Sequence, residues 1–356
     1  MTELTSRERV LLALSHRKPD RVPIHDAPWE TTIDRWKQEG MPANAIPEEY
    51  FGYELRLFGF DGSLQLPKKV VEETDEFVIV RNADGATRKD WKHRTSTPGY
   101  HEFLIQDRAA WEEHKHRLAW NDSRVEWEKE LKRFRREKEA ERFCVFAAVT
   151  GYDRAQGLIG SERLLIAMLE DPAWIRDVFA TVADLTIQAA EEMLARGFDF
   201  DGVWLFNDMG YRNATLFSPQ LYRELIKPID HRLVDFFHGR GLKVILHSCG
   251  CVKALIPDLI EVGFDCLQPL ETKAGMDLVE LKKLYGDALA FMGGIDVRKM
   301  AHPDPAVIEE EIRIKFAAGM ADGGYIYHSD HSVPDNVSLE RYRYVLDLVQ
   351  KYGIYQ

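Results

Sequence analysis

Cysteine is scarce in this chain of 356 residues, which has four, at positions 144, 249, 251 and 266. So few, and so unevenly placed, they exclude the disulfide scaffold of a small secreted domain. No run of about 18 apolar residues is present, which excludes a helical membrane span. The N-terminal stretch lacks the apolar core and small-residue cleavage site of an export signal, so a cytoplasmic location is expected. Positive charge is in deficit: Lys plus Arg is 47 against Asp plus Glu 59, a net charge of −12. That balance argues against nucleic acid or an anionic membrane as a partner. A Gly-rich dinucleotide fingerprint is also missing, which weakens the case for an open doubly wound sheet.

What is present is an alternation. From residue 143 onward short apolar runs alternate with helix-length amphipathic stretches, the pattern of repeated β-α units around a parallel sheet. Strands are predicted at Phe143 to Val149, Gly202 to Phe206, Lys243 to His247, Cys266 to Leu270, Ala288 to Met292 and Tyr325 to His328. Arg21 to His25 and Gly59 to Leu66 supply two more. Pro172 to Arg196 reads as a helix, with Ile175, Val178, Phe179, Val182, Leu185, Ala189 and Met193 along one stripe. Thr5-Ser6-Arg7-Glu8 is a capping-box pattern that opens an N-terminal helix. Gly-Phe-Asp recurs at 59, 197 and 263, as a repeated helix-to-strand turn would require.

The expected fold is α/β, a (β/α)8 TIM barrel with extra N-terminal helices and an inserted β-hairpin, forming a single domain over 1–356. The hairpin is placed within 68–105, turning at Asn82-Ala83-Asp84-Gly85, and charged solvated helices are placed at 107–141.

The chemistry centres on His247-Ser248-Cys249, at the end of the apolar run Val244-Ile245-Leu246. Residues two apart share one face of a strand, so imidazole and thiol point into one cavity. Together they supply two of the three protein ligands of an open zinc site. The competing reading is that both are interior residues. Cys144 and Cys266 lie in apolar runs and read as core, while Cys251 stays ambiguous between ligand and first helical residue.

A second polar run, His328-Ser329-Asp330-His331, ends the last strand and opens on the same barrel face. His331 can complete a His-Cys-His set, or His328 and His331 can bond loop carbonyls. Other strand ends carry Asn207-Asp208, Gln268, Glu271 and Asp296, each of which could equally cap the following helix. Glu271 is the nominee for a displaceable fourth ligand. Trp29, Tyr152, Trp204, Phe206 and Tyr211, with Arg154, are placed as walls of a substrate pocket, although core packing explains any one aromatic.

At these residues the sequence resembles the uroporphyrinogen decarboxylase superfamily, and more closely its cobamide-dependent methyltransferase branch. The resemblance runs through Ser6-Arg7-Glu8-Arg9-Val10 to Asp20-Arg21-Val22-Pro23, Asn207-Asp208-Met209-Gly210, Leu216-Phe217-Ser218-Pro219, His247-Ser248-Cys249-Gly250 and Gly293-Gly294-Ile295-Asp296. It implies a (β/α)8 barrel with its site at the C-terminal face. It also implies zinc held by a His-x-Cys pair and a later Cys after the last strand. His247 and Cys249 match the pair, and His331 stands where the later Cys would fall.

Replacing thiolate by imidazole makes such a site more electrophilic and suits activation of an ether or alcohol oxygen. The expected function is zinc-dependent transfer of a methyl group between a small donor, a methoxylated aromatic among the candidates, and a corrinoid on a partner protein. Asp208 would position substrate or protonate the leaving oxygen. Two alternatives stay open: metal-free decarboxylation of a tetrapyrrole, using Asp208 or Asp153 with Arg154, and a non-catalytic corrinoid- or tetrapyrrole-binding barrel. The segment after the first strand, Ala27-Pro28-Trp29-Glu30, lacks the Arg-rich pattern that a polycarboxylate would need.

Overall fold

A computed structural model describes residues 3–92 and 99–356 of the chain. Strand β1 (Leu55–Phe58) is followed by β2 (Lys69–Glu73), β3 (Phe77–Arg81), β4 (Thr87–Trp91) and β5 (Gly99–Glu102). Next come β6 (Phe143–Val149), β7 (Gly202–Phe206), β8 (Lys243–His247), β9 (Cys266–Gln268), β10 (Ala290–Met292) and β11 (Tyr325–Ile326). Among the described residues two sheets form, one in the order β1-β6-β7-β8-β9-β10-β11 and one in the order β2-β3-β4-β5. Every pairing in the first is parallel and every pairing in the second antiparallel.

The parallel sheet curls until its edges meet across the segment at Ile24. Ile24 bridges Tyr327 in parallel on one side, with His25 N–H donating to the Tyr327 carbonyl at 3.1 Å. On the other side the Ile24 carbonyl accepts from Glu54 N–H at 2.8 Å, just before β1. The eighth staves of this TIM-barrel-like ring are thus one bridge and a few backbone bonds. The strand expected at Arg21 to His25 is found as this seam. The one expected at Gly59 to Leu66 falls earlier, as β1, and there Gly59-Phe60-Asp61 leaves a strand rather than entering one.

Register fixes which side chains fill the ring. Trp204 pairs with Ile245, Ile245 with Cys266 and Cys266 with Ala290, so all four point inward in one layer. They are buried with Phe143, Val145, Met292 and Ile326. Val10, Ala13 and Leu14, from the helix Ser6–Leu14, join the same cluster and plug the bottom of the barrel. That helix starts as expected, with Thr5 Oγ1 accepting from Glu8 N–H and the Glu8 carboxylate accepting from Thr5 N–H. One layer above Ile245, the same parity points Phe206, His247 and Gln268 into the mouth.

Helix Pro172–Ala195 packs its expected stripe on the outside of the sheet, capped by Asp171, whose carboxylate accepts from Trp174 N–H at 3.1 Å. The excursion after β1 is larger than one hairpin. The predicted turn is present, with Gly85 N–H donating to the Asn82 carbonyl at 3.0 Å, but β2 and β5 widen it to four strands. Residues 93–98 of that excursion lie outside the described residues. The charged stretch forms helices Arg108–His114 and Trp127–Glu139, the latter burying only Phe134 and Glu137. No helix of the described residues is long and apolar enough to cross a membrane.

Candidate metal centre at the barrel mouth

Strand β8 delivers His247 and Cys249 on the inward face, and Ser248 between them turns back to bind the neighbouring loop. Its Oγ accepts from Met209 N–H at 3.0 Å, and its N–H donates to the Gln268 carbonyl at 2.8 Å. The loops after β7 and β8 press together at Gly210 and Gly250. A Cβ on Gly210 would run into the Cys249 carbonyl and Cys251 N, and one on Gly250 into the backbone of Gly210. Gly250 is also at φ +74, where a side chain is strained. This glycine contact, sealed by Cys251 N–H donating to the Tyr211 carbonyl at 2.7 Å, sets Asp208 beside Cys249.

The result is a three-donor cluster. One ligand atom each from Asp208, His247 and Cys249 lies within 4.8 Å of the others. His247 Nε2 is 3.5 Å from Cys249 Sγ and 3.4 Å from Asp208 Oδ1, and Asp208 Oδ1 also accepts from Cys249 N–H at 2.7 Å. Behind the imidazole, Nδ1 is hydrogen-bonded to Gln268 Oε1. An oxygen can only accept, so Nδ1 carries the proton and Nε2 presents its lone pair to the cluster.

Burial lowers the pKa of His247 from its ordinary value, against the opposing pull of Asp208 and the bond to Gln268. Burial, then the charges of Asp208, Glu271 and Asp153, push the Cys249 thiol well up, with Lys273 opposing. A divalent cation among these atoms would supply positive charge that allows the thiol to ionise. An N, S and O donor set with an oriented imidazole fits zinc.

The other anticipated residues fall into two groups. Near the cluster, Glu271 is buried and committed, accepting from Gly250 N–H at 2.7 Å and pairing with Lys273 at 2.8 Å. His331 lies outside the 4.8 Å group and stacks on Trp29, ring centroids 6.0 Å apart. Asn207 is buried, its N–H on the His247 carbonyl and its Oδ1 accepting from Asp153 N–H. Tyr211 is exposed at the rim, and Cys251 is buried beside it. His328 Nε2 is 3.3 Å from Gln268 Nε2.

Away from it, Trp204 is inside the barrel and Tyr152 is core, packed on Phe217. Asp296 caps the helix Val297–Met300; burial would raise its pKa, but the bonds from Arg298 outweigh that and lower it. Arg154 donates both guanidinium arms to Asp84 and also binds the Gly62 carbonyl. Cys144 and Cys266 are buried as expected.

The sequence reading named Asp153 and Phe206 without bringing them to one cavity, and it missed Asp26. Asp153 is pushed up to about 7 by burial and by Asp208, with Arg154 opposing, and lines a cavity of about 470 Å³ between the mouth and the inserted sheet. Phe206 lines it too, its ring centred 5.0 Å from that of His247. Asp26, buried at the seam, accepts from Tyr327 and Tyr342 hydroxyls at 3.2 and 3.0 Å. A carboxylate at the end of the Arg21 to His25 run was the available signal.

This fold and mouth define a barrel enzyme class with its site at the C-terminal ends of the strands. Residues 127–352 match the uroporphyrinogen decarboxylase (URO-D) family, and the chain belongs to it. Two curated relatives are methylcobamide:CoM methyltransferases of Methanosarcina barkeri, 31% and 27% identical over 149 residues. Those alignments span 40% of this chain and 41% of each relative. A solved methyltransferase from Methanosarcina mazei shares the fold, with TM-score 0.70 and 15% identity over 98% of this chain and 99% of that one.

Proposed function

We propose that this protein is a zinc-dependent methyltransferase that moves a methyl group between a small oxygen-bound donor and a corrinoid carried by a partner protein. The observation that carries the reading is the Asp208, His247 and Cys249 cluster at the mouth of the barrel. The methylcobamide methyltransferases among its relatives support the corrinoid as the other reactant. When bound, zinc supplies Lewis-acid polarisation of the atom that holds the methyl group. One thiolate beside imidazole and carboxylate makes a harder donor set than several thiolates, which favours an ether oxygen over a thiol.

Each residue then has a task. His247 and Cys249 hold the metal with Asp208 or His331 as third donor, and Glu271 holds the Gly250 turn. Phe206 and the cavity beside it seat an aromatic donor. As the carbon–oxygen bond breaks, the methyl carbon bonds to the reduced cobalt of the partner's corrinoid, which supplies the new electron pair, while the oxygen keeps the old pair and takes a proton. Asp153, poised near neutrality on the cavity wall, is the chain's proton source. The decarboxylase reading is disfavoured because Arg154, the guanidinium nearest this cavity, is consumed by Asp84 and Gly62.

Zinc per chain, measured by elemental analysis, should be about one equivalent in the unaltered protein and should vanish in Cys249→Ala. Asp208→Ala and His331→Ala, compared in the same assay, identify the third donor. Methyl transfer from a methoxylated aromatic to cob(I)alamin should follow zinc content. No zinc in any form of the protein, with cob(I)alamin unmethylated, overturns the reading.

A further inference from the structure

A directional hydrogen-bond chain stands behind His247, and its polarity follows from the contacts alone. His328 Nδ1 lies 2.7 Å from the Ser329 carbonyl, which can only accept, so Nδ1 carries the His328 proton. Asp26 Oδ1, 3.6 Å from the same nitrogen, favours a proton there. His328 Nε2 is therefore an acceptor, and it faces the Gln268 amide nitrogen at 3.3 Å. That fixes the amide with Oε1 toward His247 Nδ1, which must donate. All three side chains are largely buried, so water does not readily substitute for a missing partner.

We infer that Gln268 and His328 are positioning residues that transmit one proton arrangement from the buried Asp26 and Ser329 to His247, and so keep Nε2 free to bind metal. The inference rests on the zinc reading for its purpose but not for its geometry. Reversing any link reverses the rest. An amide turned over would offer N–H to Nδ1, the His247 proton would move to Nε2, and the lone pair facing Asp208 and Cys249 would be lost. Ser329 is tied by its own hydroxyl to Asp26, so the chain is anchored at the seam where the barrel closes.

The test uses the full chain in two states. In zinc-free protein, two-bond nitrogen–proton NMR of the histidine rings should show His247 protonated at Nδ1. In Gln268→Leu the His247 tautomer should become mixed. Gln268→Glu, which still accepts from Nδ1, should retain it while moving the His328 proton to Nε2. Zinc affinity by chelator competition should fall roughly 10- to 100-fold in Gln268→Leu and in His328→Phe, and less in Gln268→Glu. A His247 proton on Nε2 in the unaltered protein overturns the inference, as does an unchanged tautomer in Gln268→Leu. The NMR result stands whether or not zinc binds, so a protein with the expected tautomers and no affinity for zinc would overturn the proposed function alone.

Discussion

From β6 to β8 the barrel wall is knit by ladders of five residue pairs, whereas from β9 round to Ile24 the strands shrink to three, three and two residues and a lone bridge. Buried carboxylates take over where the ladder thins. Glu54 accepts from Ile24 N–H at 2.7 Å and pairs with Arg9 and Arg21. Asp26 gathers Tyr327, Tyr342 and Ser329, and Asp330 gathers Thr272 N–H, Thr272 Oγ1 and Val297 N–H. One carboxylate has room for several donors, so a single side chain can join three segments that backbone pairing cannot reach. The ladder side presents the proposed ligands Asp208, His247 and Cys249, and the carboxylate side reaches His247 from behind through Gln268 and His328.

Removing an anchor on the thin side should hurt most. Glu54→Gln removes the fully buried one of the two carboxylates paired with the Arg9 guanidinium, 2% exposed, leaving it Asp20, and should cost about 3 kcal/mol, read from the urea denaturation midpoint. Asp26→Ala removes the carboxylate that accepts from three hydroxyls, leaving Ser329 on the His331 carbonyl and Tyr342 on the Tyr53 hydroxyl, and should cost about 2 kcal/mol. Its counterpart on the ladder side, Ile245→Val, should cost about 1 kcal/mol. Equal losses for these two would erase the contrast between the sides.

The number of donors also decides the sign of a pH effect. Asp20 falls to about 2 because bonds from Arg9 and from Leu4 and Arg21 N–H overcome partial burial. Asp230 is fully buried with one partner, the Tyr222 hydroxyl at 3.0 Å, and burial pushes it up to about 7 against that bond. The folded chain then keeps a proton that the unfolded chain releases above about pH 4. Stability from this group is highest below that pH, declines as pH rises to about 7, and is level beyond. Asp230→Asn should abolish the decline, measured as denaturation midpoint against pH. The smallest effect belongs to the inserted sheet: Val70→Thr, on an exposed strand, should shift the midpoint by no more than about 0.5 kcal/mol.

Much of the ladder side was legible in the sequence because its signals are local. Phe143 to Val149, Gly202 to Phe206 and Lys243 to His247 are apolar runs long enough to read, and their observed bounds agree. His-x-Cys parity is local too, and it correctly set both side chains on one face. The carboxylate side was harder. Tyr325 to His328 keeps strand pairing only over two residues, because Tyr327 goes on to pair with the seam instead. Asp208 was read as a substrate or proton residue, since nothing in the order of residues announces that Gly210 and Gly250 press two loops together. The four-stranded width of the insertion was hidden because β2 and β5 are exposed on both faces and carry no apolar alternation.

The seam at Ile24 also bears on the expected order of folding. β6, β7 and β8 each pair with the strand that precedes them in the ring, so that wall can zip up as consecutive units. Asp26 meets Tyr342 across 316 positions of sequence, and Thr32 meets Val333 across 301. Contacts so remote incur their loop-closure entropy before any of their bonding is gained. On this ground the ring is expected to shut last, and the Gln268–His328 contacts behind His247 to come into register only when the two ends of the barrel have met.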